Sequence, residues 1–188
     1  MDPDACIRAL KEGGVAIIPT DTVYGMVCRA GDKEAVERLY GLKSRQSKPG
    51  TVIASSIEQL VELGIKRRYL SAVQQFWPGA ISVEIPHDLN YLNQGTGRQA
   101  FRIPADERLS IILDKTGPLL TSSANLPGEP TAKDIDEAKD YFGNKVDCYM
   151  DGGRREGEPS TLIRIVDDAI EVLREGAVKI DESGRIEK

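Results

Sequence analysis

In the stretch Val15-Ala16-Ile17-Ile18-Pro19-Thr20-Asp21-Thr22-Val23-Tyr24-Gly25, four consecutive apolar residues run directly into two hydroxyls and a carboxylate. The apolar run is short, continuous and bounded by Gly13-Gly14 before and Pro19 after. That is the pattern of a strand covered on both faces. Proline stiffens the exit from the strand, and Gly25 permits close backbone approach. Polar groups at the end of a rigid strand are where a sheet commonly presents a site. The same residues would serve a capped turn equally well, so this stretch decides the strand and leaves its polar end open.

Working outward, Asp2-Pro3-Asp4 predicts a helix cap with proline in the first turn, followed by apolar Cys6, Ile7, Ala9 and Leu10 and closed by Gly13-Gly14. Asp32-Lys33-Glu34 opens a second helix with Ala35, Val36, Leu39 and Tyr40 on one face. A buried strand is expected over 51–54, and Ser55-x-x-Glu58 reads as a capping box ahead of Leu60, Val61 and Leu63. Alternation predicts a half-buried strand over 80–85, and further strands are expected over 100–103, 118–121, 146–150 and 161–166 and around Val178. Helices are expected over 106–115 and 133–142. Strands and helices mix without a clean βαβ period, so the expected class is α/β with a mixed sheet. One domain is expected over 1–180, with a polar, frayed tail over 181–188.

The chain has 188 residues, of which 40% are hydrophobic and 29% charged, an ordinary globular mixture. A net charge of -5 argues against a surface built as a whole to grip nucleic acid, while leaving room for a local basic patch. The three cysteines, Cys6, Cys28 and Cys148, are odd in number and form no C-x-x-C. They argue against a disulfide scaffold or a zinc ribbon, and a reducing cytoplasm is the expected compartment. His87 is the sole histidine, which leaves almost no material for a histidine-dependent triad or a multi-histidine metal site. It reads as a surface turn residue in Pro86-His87-Asp88, Cys28 as a small core residue, and Trp77 as core packing. No apolar run approaches membrane-spanning length, and no signal peptide is evident.

Three further segments set polar groups at strand ends. Lys43-Ser44-Arg45-Gln46-Ser47-Lys48 places three cations ahead of a strand, suited to phosphate or simply a solvated basic loop. Leu119-Leu120-Thr121-Ser122-Ser123-Ala124-Asn125 follows an apolar strand with hydroxyls and an amide that could hold phosphate or carboxylate oxygens. A cap for the helix that begins near 131–133 is the alternative, though it lies far downstream. Arg102 sits inside an apolar stretch and needs a partner, either an internal carboxylate or that of a substrate. Neither G-x-x-x-x-G-K-[ST] nor G-x-G-x-x-G after a strand is present.

Pro19–Gly25, Lys43-x-Arg45, Trp77-Pro78-Gly79, Arg102-Ile103-Pro104, Thr121-Ser122-Ser123-Ala124-Asn125 and Ser160-Thr161, in this order, resemble the YrdC/Sua5 family of threonylcarbamoyl-adenylate synthases. The likeness runs from residue 19 to about 176. It implies a twisted mixed sheet with flanking helices and a large concave cavity, in the short single-domain form. It also implies that L-threonine, bicarbonate and ATP give threonylcarbamoyl-AMP and pyrophosphate for the t6A modification of tRNA, with a threonylcarbamoyl transferase complex downstream. Carried over by position, threonine would be held by Thr22, Arg102, Thr121 and Ser160, and ATP by Lys43, Arg45, Arg98, Ser123, Asn125, Thr131 and Arg174. Lys43, Arg45 and Ser123 would stand nearest the chemistry, with Mg2+ brought by the triphosphate and Asp21 at most a water-mediated contact. The chain departs from the family at Gln46, where proline is usual after the Arg, and at Ala54, where many members have a histidine. An alternative is a double-stranded RNA or ribosome-binding module, with Lys43, Arg45, Lys48, Lys66, Arg67 and Arg68 extending a basic face. A domain of the hydrogenase-maturation carbamoyltransferases is a third, against which stands the absence of zinc-finger-like cysteines.

Overall fold

A computed structural model describes residues 3–44, 48–167, 169–181 and 185–186. Among these, nine strands form one sheet: β1 (Ala16–Pro19), β2 (Tyr24–Arg29), β3 (Thr51–Ile53), β4 (Ile81–Pro86), β5 (Arg98–Arg102), β6 (Leu119–Ser123), β7 (Cys148–Tyr149), β8 (Thr161–Val166) and β9 (Ala169–Arg174). Their order is β7-β1-β2-β6-β3-β5-β4-β8-β9. The pairs β1–β7, β3–β5 and β4–β8 are parallel and the other neighbours antiparallel, which makes the sheet mixed as expected.

Directly paired residues share a face, and successive residues alternate. The register therefore sorts every strand residue to one side of the sheet. Met26, Leu120, Val52, Phe101, Val83 and Ile163 fall on one face and belong to one large apolar cluster. Helices α2 (Lys33–Leu42), α3 (Ile57–Glu62), α4 (Arg67–Ser71), α5 (Asn90–Asn93) and α7 (Ile135–Phe142) contribute Val36, Leu39, Leu60, Leu70, Leu92 and Phe142 to it. The opposite face is divided. Ala16, Ile18, Val27, Ile53 and Leu119 are covered by Cys6, Ile7 and Leu10 of α1 (Pro3–Lys11) and by Leu109, Ile112 and Leu113 of α6 (Glu107–Thr116). Beyond these helices the same face carries Gly25, Thr51, Ser82, Arg102, Thr121, Ser123 and Arg174.

Several expectations need correction. Cys6 and Cys148 are joined by a disulfide that ties α1 to β7. Their separation of 142 residues is invisible to spacing rules but is closed by the pairing of β1 with β7. Cys28 is the free, buried cysteine, and burial pushes its thiol up. The α3 cap is Ser56, whose Oγ accepts from Gln59 N, while Gln59 Oε1 accepts from Ser55 N. The box is thus shifted by one residue. The last strand is β9, Ala169–Arg174, rather than one around Val178. Asp134 caps α7, which frees the hydroxyls of 121–125 from that duty. His87 is buried against the Phe101 ring, at 5.5 Å between centroids, and is no surface residue. Trp77, by contrast, packs on the core as expected and donates Nε1–H to Ile81 O. Within 181–188, Ile186 forms an antiparallel bridge with Ile180.

Candidate functional site

One cavity opens on the polar part of the divided face, and a second lies beside it at the end of β6. The first, of about 190 Å³, is lined by Thr22, Arg102, Thr121 and Ser160, the four positions expected for threonine. The second, of about 470 Å³, is lined by Lys43, Lys48, Asn125 and Gly128. Ser123, at the end of β6, lines both.

The loop between β1 and β2 shapes the first cavity. Thr20 is buried, and its Oγ1 donates to Val23 O (2.6 Å) and accepts from the backbone N–H groups of Thr22 and Val23 (both 3.2 Å). This hydroxyl closes the turn and fixes Asp21 and Thr22 at its tip. The next residue inward is Gly25, where a Cβ would stand 2.6 Å from Thr121 Oγ1, so glycine keeps the cavity open. Residues 151–160 run across the loop as irregular chain. Tyr24 Oη pins them, donating to Gly153 O (2.8 Å) and accepting from Gly152 N (2.9 Å), and burial pushes the phenol up. A Cβ at Gly157 would come within 2.7 Å of Thr22 O, so this crossing needs glycine. On the far side, Ser160 Oγ lies 2.8 Å from Ser82 Oγ, and Arg174 Nη2 donates to Ser160 O (2.7 Å).

Arg102 has found the internal partner that burial demands. Its Nη1 donates to both oxygens of Asp21, at 2.5 and 2.6 Å, and the two side chains are only 4% and 10% exposed. Asp21 is therefore a direct ion-pair partner of Arg102. In the second cavity Lys43 is buried and donates Nζ–H to the carbonyls of Ser123 (2.8 Å) and Asn125 and to Asn125 Oδ1 (3.0 Å). Ser123 Oγ donates to the same Oδ1 at 2.7 Å.

Of the positions expected for ATP, Lys43, Ser123 and Asn125 come together in the second cavity. Thr131 and Arg174 line the first instead. Arg98, exposed at the start of β5, lines neither of these two cavities, and Arg45 lies outside the described residues. Ser82 reads from the sequence only as a polar position of an alternating strand, and its hydroxyl contact with Ser160 is what the structure adds. Ala54 is buried and donates its N–H to Arg102 O (3.1 Å). The proposed basic face is interrupted, since Lys66 pairs with Asp88, Arg67 with Glu58, and Arg68 stacks on Tyr69. Among the described residues no group of three or more His, Cys, Asp or Glu stands close enough to hold a metal ion, and no helix is long and apolar enough to cross a membrane.

Comparison with known proteins gives this geometry a context. The Sua5/YciO/YrdC family model, described as telomere recombination, matches residues 8–176. A Mycobacterium leprae relative, provisionally named a threonylcarbamoyl-AMP synthase, is 34% identical over 95% of this chain and 88% of its own. The threonylcarbamoyl-AMP synthase of Coxiella burnetii is 33% identical over 89% of this chain and 94% of its own. Among solved structures, Pyrococcus abyssi Sua5 complexed with L-threonine superposes with a TM-score of 0.82 at 28% identity, covering 94% of this chain. This chain spans 54% of that protein's length. Escherichia coli YciO gives a TM-score of 0.79 at 25% identity over 93% of this chain and 88% of its own.

Proposed function

Because the chain belongs to the Sua5/YciO/YrdC family, we propose that it is a threonylcarbamoyl-AMP synthase acting in t6A modification of tRNA. The observation that carries this reading is the adjacency of the two cavities through Ser123. One is small, lined with hydroxyls, and holds a single buried arginine; the other is built around Lys43. An amino acid and a nucleotide triphosphate placed in them would meet at Ser123.

The reaction is read as two steps. The amine of L-threonine adds to the carbon of CO2 with release of a proton, or to that of bicarbonate with expulsion of water, to give a carbamate. A carbamate oxygen then attacks the α-phosphorus of ATP in line, and pyrophosphate leaves. Arg102 would bind the amino acid's carboxylate, while Thr22, Thr121 and Ser160 would take its remaining polar groups. Lys43, with Arg45, would neutralise phosphate charge, and Ser123 and Asn125 would bind phosphate oxygens near the reacting centre. Holding two reactants as a near-attack pair can contribute about 7–11 kcal/mol, which suits a site whose residues offer no nucleophile–base pair. No step is assigned to a protein-held cation, because the described residues provide no carboxylate cluster for one; Mg2+ would travel with the triphosphate. The catalytic unit is read as residues 1–180, in the cytoplasm, passing its labile product to a threonylcarbamoyl transferase complex.

Threonine-dependent pyrophosphate release from purified protein supplied with ATP and bicarbonate tests this directly, with mass detection of threonylcarbamoyl-AMP. Release that is independent of threonine would sink the assignment.

A further inference from the structure

The mechanism above leaves Asp21 without a task, yet the carboxylate is one of the most constrained groups in the site. Three observations define it. Asp21 is gripped by Arg102 through Nη1 alone, both carboxylate oxygens lying 2.5–2.6 Å from that single nitrogen. Arg102 Nε is shielded from solvent and has no hydrogen-bond partner. The turn that carries Asp21 is closed by the buried Thr20 hydroxyl, so the carboxylate is presented by a fixed scaffold rather than by a loose loop.

A guanidinium is a planar fork, and its Nε–H together with one Nη forms a side edge that matches a carboxylate with two parallel hydrogen bonds. Leaving a buried Nε–H unpaired is costly, and an incoming acceptor relieves that cost. We propose that Asp21 is a positioning residue. It holds Arg102 by Nη1, fixes the plane of the guanidinium, and keeps the Nε edge in reserve for the α-carboxylate of the amino acid. The proposal rests on the reading of Arg102 as the carboxylate-binding residue. It departs from the idea that Asp21 merely fills the substrate's place and is pushed aside, because an occupant of that place would engage the Nε edge.

The test is calorimetric titration of the full-length protein with L-threonine, with L-threoninamide (which lacks the carboxylate) and with ATP. Asp21→Asn should weaken L-threonine binding about 10- to 100-fold, the range of a hydrogen bond to a charged group. Its affinity for L-threoninamide and for ATP should change less than about twofold, which a general loss of structure would not allow, and Asp21→Glu should recover part of the L-threonine affinity. Unchanged threonine affinity in Asp21→Asn, alongside loss of it in Arg102→Ala, overturns the proposal and leaves the reading of Arg102 standing. Unchanged affinity in Arg102→Ala removes that reading itself. A measurement on the unaltered protein guards against a variant that fails to fold. In arginine-selective 15N spectra, with Arg102 assigned from Arg102→Lys, separately resolved Nη signals should persist when L-threonine saturates the site while Nε shifts. Merging of the Nη signals on saturation would show that Asp21 has let go, and the proposal would fall.

Discussion

Phe101 and Arg102 are neighbours on β5 and meet opposite fates. Phe101 has no exposed surface and joins the large cluster beneath α2, α3, α4, α5 and α7. Arg102 is just as hidden, but on the face where α1 and α6 stop short, and its neighbours are hydroxyls and a carboxylate. One face of the sheet is mainly apolar across its central strands, with Gln99 and Ser122 as buried polar exceptions; the other is mainly apolar where two helices lie on it and mainly polar beyond them. The difference teaches that the site is a gap in helix coverage. The strands continue their alternation through that gap, and where no helix arrives the inward positions carry polar groups in place of Val and Ile.

The comparison can be broken by experiment. The largest effect expected is at Arg102. Arg102→Ala combined with Asp21→Ala, which leaves no lone buried charge, should cut kcat/KM for threonine by about 10²–10³-fold. The urea midpoint should move far less than that loss implies, and a variant that unfolds without losing activity per folded molecule would abolish the distinction between the faces. Phe101→Ala should do the reverse, costing about 3–5 kcal/mol in urea unfolding with threonine affinity within about twofold at temperatures where the protein stays folded. A thiol count sharpens the divided face. In unfolded, unreduced protein only Cys28 should react with a thiol reagent, since Cys6 and Cys148 are joined, and Cys6→Ser should cost about 2–4 kcal/mol. Three reactive thiols would mean that α1 is held by packing alone.

The smallest effect is a pH dependence on the packed face. Burial holds the His87 imidazole below the ordinary histidine range, an effect only partly offset by Gln99 and Asp88. A histidine whose folded pKa is depressed contributes stability that is fully present above its unfolded value of about 6.5 and is lost as pH falls through that value. Urea midpoints should therefore drop below about pH 6.5, and His87→Gln should flatten that limb of the profile.

Much of this was legible from residues alone. The strand into Pro19–Gly25 follows from its apolar run and the helix opened at Asp32 from its capping residue, whereas the grouping of Thr22, Arg102, Thr121 and Ser160 follows from the family resemblance and not from the residues by themselves. Strand β9 was not legible, because Ala169-Ile170-Glu171-Val172-Leu173-Arg174 is largely exposed at a sheet edge and its alternation is blurred. The Cys6–Cys148 bond and the Asp21–Arg102 pair were hidden for a different reason. Each joins residues far apart in sequence, 142 positions in the first case and 81 in the second, so only the sheet order brings them together. Sequence could state that Arg102 needed a partner; it could not say which of 30 acidic residues supplied it.

The pairing of β5 with β3 and β4 sets Ala100, Phe101 and Arg102 opposite fixed partners. A slip by one residue would exchange the two faces, sending a guanidinium into the apolar cluster and an aromatic ring into the hydroxyl-lined cavity. The pleat of this strand thus acts as a parity check. A single-residue insertion within it that no bulge absorbs costs activity and stability together, whereas a two-residue insertion restores the facing.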